Sequence, residues 1–291
     1  MFIPFFTHRR SKNTNSKQLA KRRGGGRSGG GGGAVGGAGG GGGARSASSV
    51  STGGTSKSAS SYGTGGGRAT TIPSGQLFAG RSEGGGTRGQ VFGTRVYGSG
   101  YPSDVGRGVA GRGFPFYFWP IGFGGLGGAA YYHSNSEYGR SNNSSRPGGP
   151  IVTAAFQSLD TKTTLRILAD NTTVVALITD ISANCSDLTT GVPTPASWDD
   201  EGTAPPQPEQ MVQYYRASSI ALSLDGYNNT AIFEAEGTPD VALPSGIDAV
   251  LLDCVNQTIG AAAPLIDAGS TLPAPSMLGI VSLIWISSFF M

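Results

Sequence analysis

Two cysteines, two histidines and a group of carboxylates are the side chains best suited to chemistry in this sequence, and their spacing excludes most reactions. His8 and His133 are too few for a histidine-built metal site. Cys185 and Cys254 stand 69 positions apart and lack the close pairs from which zinc sites are made. Gly-x-Ser-x-Gly occurs at Gly26–Gly30 and Gly80–Gly84, both inside the Gly-rich region and without the strand-then-helix pattern of a nucleophile elbow, so a serine nucleophile with its histidine base has no support. The run Gly54–Ser58 lacks the glycine directly before Lys57 that a phosphate-cradling loop requires. Asp225, Glu234, Glu236, Asp240, Asp248 and Asp253 could pair in space as glycosidase carboxylates, against the ordinary expectation that acidic residues face solvent. These residues point to a non-enzymatic protein without metal or cofactor. A secreted hydrolase ranks third among the functional readings.

The cysteines and six asparagines form a more coherent set. Asn142, Asn143, Asn171, Asn184, Asn228 and Asn256 each begin an Asn-x-Ser/Thr glycosylation sequence, and they are six of the ten asparagines. None lies in the Gly-rich N-terminal region. In such company Cys185 and Cys254 read as a disulfide, with two free buried thiols the alternative in a reducing compartment. Closing a loop of this length stabilises by about 4 kcal/mol on the chain-entropy estimate. At the C-terminus, small residues Ala268, Gly269 and Ser270 precede a short Pro-containing spacer and the uncharged run Met277–Met291. That order resembles a glycolipid-anchor signal, with attachment near Ala268–Ser270, although the spacer is shorter than the usual ~8–12 residues. The competing reading is a retained tail anchor, for which fifteen helical residues reach only about 22 Å of a ~30 Å hydrocarbon core.

The elements that must position these residues lie in 151–266. Ile151–Ser158 and Thr164–Ala169 alternate apolar and polar residues as strands do, with a turn at Asp160–Lys162. Val174, Leu177, Ile178, Ile181 and Cys185 then fall on one helical stripe, with Asn171, Thr172 or Thr173 available as the N-cap. Ser186–Gln210, with five prolines, reads as a long surface loop in which Trp198 either anchors the loop or presents a contact, anchoring ranking first. Ser218–Leu224 and Thr230–Glu236 alternate about a hairpin signal at Asp225–Asn229. Ile247, Val250, Leu251, Cys254 and Ile259 make a second stripe, capped by Ser245 with Asp248 as its partner and stopped by Pro264. The expected fold is α+β, in the order β-β-α-β-β-α. One antiparallel sheet carries two disulfide-linked helices over its apolar face.

What precedes this domain is different in kind. Of 50 glycines, 42 lie before residue 150. Residues 1–113 hold 16 Lys/Arg against 2 Asp/Glu, net +14, whereas 114–291 hold 5 against 16, net −11. A Gly/Ser/Arg chain buries too little apolar surface to offset ordering entropy, so 1–113 is expected to be a disordered basic tail. Lys21-Arg22-Arg23 within it reads as a nuclear-type cluster, a processing site or a solvated charge run. The six-residue apolar start before His8 is too short for a secretory signal. Phe114–Tyr132 carries no charge over 19 positions, which suits a membrane span; two prolines and five glycines oppose a regular helix. The alternative is that its aromatics pack on the domain or form an apolar patch on this or a neighbouring molecule. The expected division is thus a tail to 113, an aromatic segment and linker to 150, the two-cysteine domain at 151–266, and a spacer with hydrophobic tail at 267–291.

The run Gly98–Pro102, the block Arg107–Pro120, Glu137-Tyr138-Gly139, Asn143–Pro150, Tyr214-Tyr215-Arg216 and Asp225–Asn229 together resemble a family of uncharacterised two-cysteine proteins from mushroom-forming fungi. The resemblance covers roughly residues 88–267 and implies a layout without implying an activity. The leading functional expectation is a cell-surface or wall-associated glycoprotein. It would be held to the membrane by its C-terminal tail or a lipid, with the basic tail reaching anionic wall or matrix polymers. The alternative is an intracellular, tail-anchored Arg/Gly-type nucleic-acid binder. Sparse aromatics (Tyr62 alone between Phe6 and Phe78) and the absence of a regular Arg-Gly-Gly repeat make nucleic acid an unlikely partner.

Overall fold

The computed structural model describes residues 47–52, 54–102, 106–124 and 135–269. Residues 1–46 and the apolar run Met277–Met291 lie outside them. In chain order, β1 (Ser48–Thr52) and β2 (Thr55–Ser60) form a hairpin, and β3 (Thr70–Thr71) pairs with β4 (Ser82–Glu83). The short α1 (Asn135–Tyr138) precedes β5 (Ile151–Gln157), β6 (Thr164–Asp170) and α2 (Asn171–Asn184). Then come β7 (Ala196–Ser197), β8 (Met211–Tyr215), β9 (Ile220–Leu224), α3 (Ala249–Ala262) and β10 (Leu265–Ile266). Five strands make one antiparallel sheet in the order β7-β5-β6-β9-β8, and β10 adds to the hairpin in the order β1-β2-β10.

The α+β class with antiparallel sheets holds. So do β5, β6, β9 and the two helices, at nearly the expected bounds. Val152, Ala154 and Phe156 of β5, Leu165, Ile167 and Ala169 of β6, and Ile220, Leu222 and Leu224 of β9 share one face. Over them lie Val174, Leu177, Ile178 and Ile181 of α2 and Leu251, Val255 and Ile259 of α3. Each fully buried Leu, Ile or Phe here contributes roughly 1.5–3 kcal/mol by leaving water.

The opposite face is also buried, which corrects the expectation of a single apolar face. Ile151, Leu168, Met211, Tyr214 and Ala221 are covered by Tyr97, Val109, Phe114, Ile121, Phe123, Tyr138 and Trp198. The aromatic segment is therefore core wherever it is described: Phe114, Phe116, Phe118, Ile121 and Phe123 are all buried. No helix among the described residues is long and apolar enough to cross a membrane. The expectation of a disordered tail to 113 fails from residue 47 onward, and the domain begins about a hundred residues before 151. The glycines of this region have partners that offset the cost of ordering them. Their partners are rings that only glycine lets lie on the backbone: a Cβ at Gly86 would sit 2.6 Å from Phe116, and one at Gly84 2.5 Å from the Tyr117 hydroxyl.

Three local corrections follow from hydrogen bonding. Thr230–Glu236 is not a strand; Thr230–Phe233 is a 3₁₀ turn. β9 is already paired on both edges, by β6 and by β8. The outer edge of β8 is taken in turn by Val91–Thr94, through bonds such as Gly93 N to Tyr214 O and Tyr214 N to Thr94 O. The α2 N-cap is Asp170, whose carboxylate accepts from Thr173 N, rather than Asn171, Thr172 or Thr173. At α3 the cap is Asp248 itself, accepting from Leu251 N, rather than Ser245. The long loop 186–210 contains β7 and two 3₁₀ turns, and Trp198 anchors it, donating to Pro206 O while its ring meets Phe123 edge-on.

Candidate functional site

The two helices bring Cys185 and Cys254 together as a disulfide, Cα to Cα 6.1 Å. Cys185 ends α2, and Cys254 lies in the second turn of α3. Asn184 and Asn256 flank the bridge. Asn184 is exposed, its amide 3.5 Å from the Thr258 hydroxyl; Asn256 is half-buried, and its oxygen accepts from the Tyr215 hydroxyl at 2.5 Å. Asn171 is exposed at the other end of α2, about 20 Å away at 1.5 Å per residue. Asn142 and Asn228 are exposed as well, whereas Asn143 is half-buried with its oxygen accepting from Ser145 N. Four of the six acceptor asparagines are therefore exposed, Asn184 with its amide donating to Thr258, and the other two are half-buried and engaged by neighbours.

The proposed attachment residues lie at a built edge. Asp267 accepts from Gly65 N at 2.6 Å, and Ala268 N donates to Gly65 O, so the chain is fastened up to the point where Ala268 and Gly269 emerge exposed. Ser270 lies outside the described residues.

The acidic set is dispersed into separate structural duties. Asp225 makes a bidentate ion pair with Arg166, with both contacts at 2.8 Å. Asp240 accepts from Asn229, Asp248 caps α3, and Asp253 meets Gln257 on the helix surface. Glu234 and Glu236 are exposed. The Asp248 carboxyl is held below the usual carboxylate range by hydrogen bonds from Leu251 N and the Ser158 hydroxyl.

A buried cluster of charge is one that sequence reasoning missed. Arg216 is fully buried: it donates to Asp170 (2.7 Å), Ser219 Oγ (2.8 Å) and Pro264 O (2.9 Å), and its guanidinium stacks 3.5 Å over the Phe118 ring. Asp170 is shared, because it also caps α2 through Thr173. Arg146, likewise buried, donates to the carbonyls of Trp119, Pro120 and Tyr138. Burial lowers the pKa of both arginines to about 10, against the opposing pull of Asp170, so both stay charged at neutral pH. Arg216, Ala217 and Ser218 all take positive φ (49°, 49° and 61°), a left-handed run that costs roughly 1–2 kcal/mol per residue. Bonds from Arg216 N to Val91 O, Gly98 N to Ser218 Oγ and Ile121 N to Ser218 O hold it in place. The cluster is sealed from solvent, and its chemistry is positional: it ties the sheet, α2 and the glycine-aromatic layer at one point. The available signal was Asp170 standing three residues before Thr173 at the head of the helical stripe.

Among the described residues no group of His, Cys, Asp and Glu could hold a metal ion. No protein-family model, curated protein or solved structure matches the chain.

Proposed function

We propose that the protein is a non-enzymatic glycoprotein displayed on the outer side of the plasma membrane or in the cell wall, lipid-anchored just past Asp267. The observation that carries this reading is the disulfide between α2 and α3, with acceptor asparagines exposed at both ends of α2. A structural disulfide belongs to an oxidising compartment, which speaks against the intracellular nucleic-acid reading. The dispersal of the acidic residues and the sealing of the arginine cluster support a role without catalysis. Fastening of the chain up to Asp267 suits an attachment point at Ala268–Ser270, because Ala268 and Gly269 directly after it are exposed. Residues 1–46, with nine Lys/Arg and no Asp/Glu, supply the cationic arm for anionic wall polymers.

The test is mass spectrometry of protein from its native host, before and after enzymatic deglycosylation and phospholipase treatment. The expected result is N-glycan at Asn142, Asn171, Asn184 or Asn228, an intact Cys185–Cys254 bridge, and a C-terminus at 268–270 bearing lipid. Free thiols together with unmodified asparagines would overturn the proposal.

A further inference from the structure

Two acceptor sequences meet at the disulfide. Asn184-Cys185-Ser186 has a bridging cysteine as its middle residue, and Asn256-Gln257-Thr258 begins two residues after Cys254. Thr258, the hydroxyl residue of the second sequence, also touches the first. The Asn184 amide donates to its Oγ1 at 3.5 Å, and Cys185 Sγ lies 3.9 Å from the same oxygen. Cys254 Sγ in turn lies 3.7 Å from the Asn184 carbonyl oxygen. The bridge and both acceptor sequences therefore pack as one unit.

An Asn-x-Ser/Thr sequence is read as a pair, the amide nitrogen together with the hydroxyl two residues on. The folded, bridged chain separates the two members at these sites. Asn256 lies within α3, where residues two apart do not share a face; Thr258 is buried and the Asn256 oxygen is held by Tyr215. Asn184 ends α2, Cys185 N donates to Ile181 O, and Ser186 opens a 3₁₀ turn closed by Leu188 N to Cys185 O. By contrast, Asn142 with Ser144 and Asn228 with Thr230 are exposed at both positions. Asn171 is a third case: its partner Thr173 is fully buried, but it lies at the end of α2 away from the bridge.

Order of synthesis distinguishes the two sites at the bridge. Cys185 waits for a partner 69 residues later, about 3–14 s at ~5–20 residues per second. During that interval Asn184 is open to modification and no bridge can exist. Asn256 follows Cys254 by two residues, when Cys185 is already present, and has no such head start.

Resting on the glycoprotein reading above, we infer that closure of Cys185–Cys254 governs glycosylation at its two flanking asparagines: Asn184 takes its glycan before closure, and Asn256 is withheld by it. At Asn184 a bond forms between Nδ2 and C1 of the sugar, the bond from C1 to a lipid pyrophosphate carrier breaks, and one amide proton is released with the carrier. Asn184 is exposed and its nitrogen keeps one hydrogen, so a glycan placed there is compatible with the closed bridge. In closure, the two thiols give two electrons and two protons to the disulfide of a thiol oxidoreductase, which becomes a dithiol.

The test is site occupancy by mass spectrometry on the full chain made in its native host, counting cell-associated and released protein together. In the parent, Asn184 should be occupied in most chains and Asn256 in few. Cys254→Ser leaves both acceptor sequences intact and removes the bridge; occupancy at Asn256 should rise several-fold, toward that of Asn184, while Asn142 and Asn228 stay unchanged. A membrane-permeant reductant applied to the parent during synthesis should raise Asn256 in the same way. Occupancy is counted whether or not the variant folds, and Asn171 reports lost folding separately: a rise there equal to that at Asn256 would overturn the inference. So would Asn184 no more occupied than Asn256 in the parent, or Asn256 unchanged in the variant beside glycan at Asn142 or Asn228, and both outcomes leave the glycoprotein reading standing. Bare asparagines at every site in both chains would overturn that reading and this inference with it.

Discussion

At the scale of single residues, the buried pair Arg216–Asp170 has the largest expected effect. Removing one partner leaves the other charge stranded, so Arg216→Met should lower unfolding stability by about 3–5 kcal/mol. Asp170→Asn retains an N-cap oxygen, and the double variant should be less destabilised than the two single changes added together, because neither charge is then left alone. Urea unfolding of the three variants reads this coupling. Gly148, at φ +84°, lies where an added Cβ would come within 1.9 Å of Asp170 Oδ1; Gly148→Ala should cost at least ~2 kcal/mol by displacing the same carboxylate. Asp248 makes a pH-dependent contribution of known sign. Its pKa is lower folded than unfolded, so the stability it adds is complete above the unfolded value of about 4 and disappears as pH falls through the folded value. Asn also caps helices, so Asp248→Asn should trail the parent in urea midpoint near neutral pH, and the gap should close as pH falls through the folded value. These residues were only partly visible beforehand. Asp248 was legible as belonging to a cap, whereas Arg216 looked like any charged residue just before a strand, since nothing in its neighbours foretells a burial that depends on Phe118 and Pro264 far along the chain.

Among the elements, legibility followed how local the determining forces are. β5, β6, α2 and α3 declare themselves by period because each buries a stripe against the same sheet or helix layer. Thr230–Glu236 has the period of a strand and nowhere to pair, and hydrogen-bond availability is a property of the sheet rather than the segment. β8 was hidden for the converse reason: Met211, Val212, Tyr214 and Tyr215 are buried on both faces, so alternation is absent. The disulfide between α2 and α3 was legible because each cysteine fell on an inward stripe. Replacing both, as Cys185→Ala with Cys254→Ser, should lower stability by about 4 kcal/mol through the freed denatured chain. Reducing agent should destabilise the parent and leave the double variant unchanged, which urea titration with and without reductant would reveal.

For the molecule as a whole, the basic character of 47–113 has an internal explanation that composition concealed. An irregular glycine-rich layer leaves carbonyls that no ladder satisfies, and arginines answer them. Arg88 donates to Gly63 and Gly260, Arg107 to Ile232 and Glu234, and Arg112 to Gly98 and Gly106. Charge that looks like a solvated tail is here part of the packing. A chain begun at Phe114 should therefore expose the second face of the sheet, bind an apolar-surface dye and lose the cooperative thermal transition of the full chain, as calorimetry would record. The fastening of Leu265–Asp267 has a mechanical consequence. Leu265 and Ile266 are zipped to Ser60 and Ala59, and Asp267 is latched to Gly65. If the protein is tethered through its C-terminal end, tension will be borne first by that clasp and shed into the β1–β2 hairpin. The helices and their sulfur bridge would then be spared until the clasp gives way.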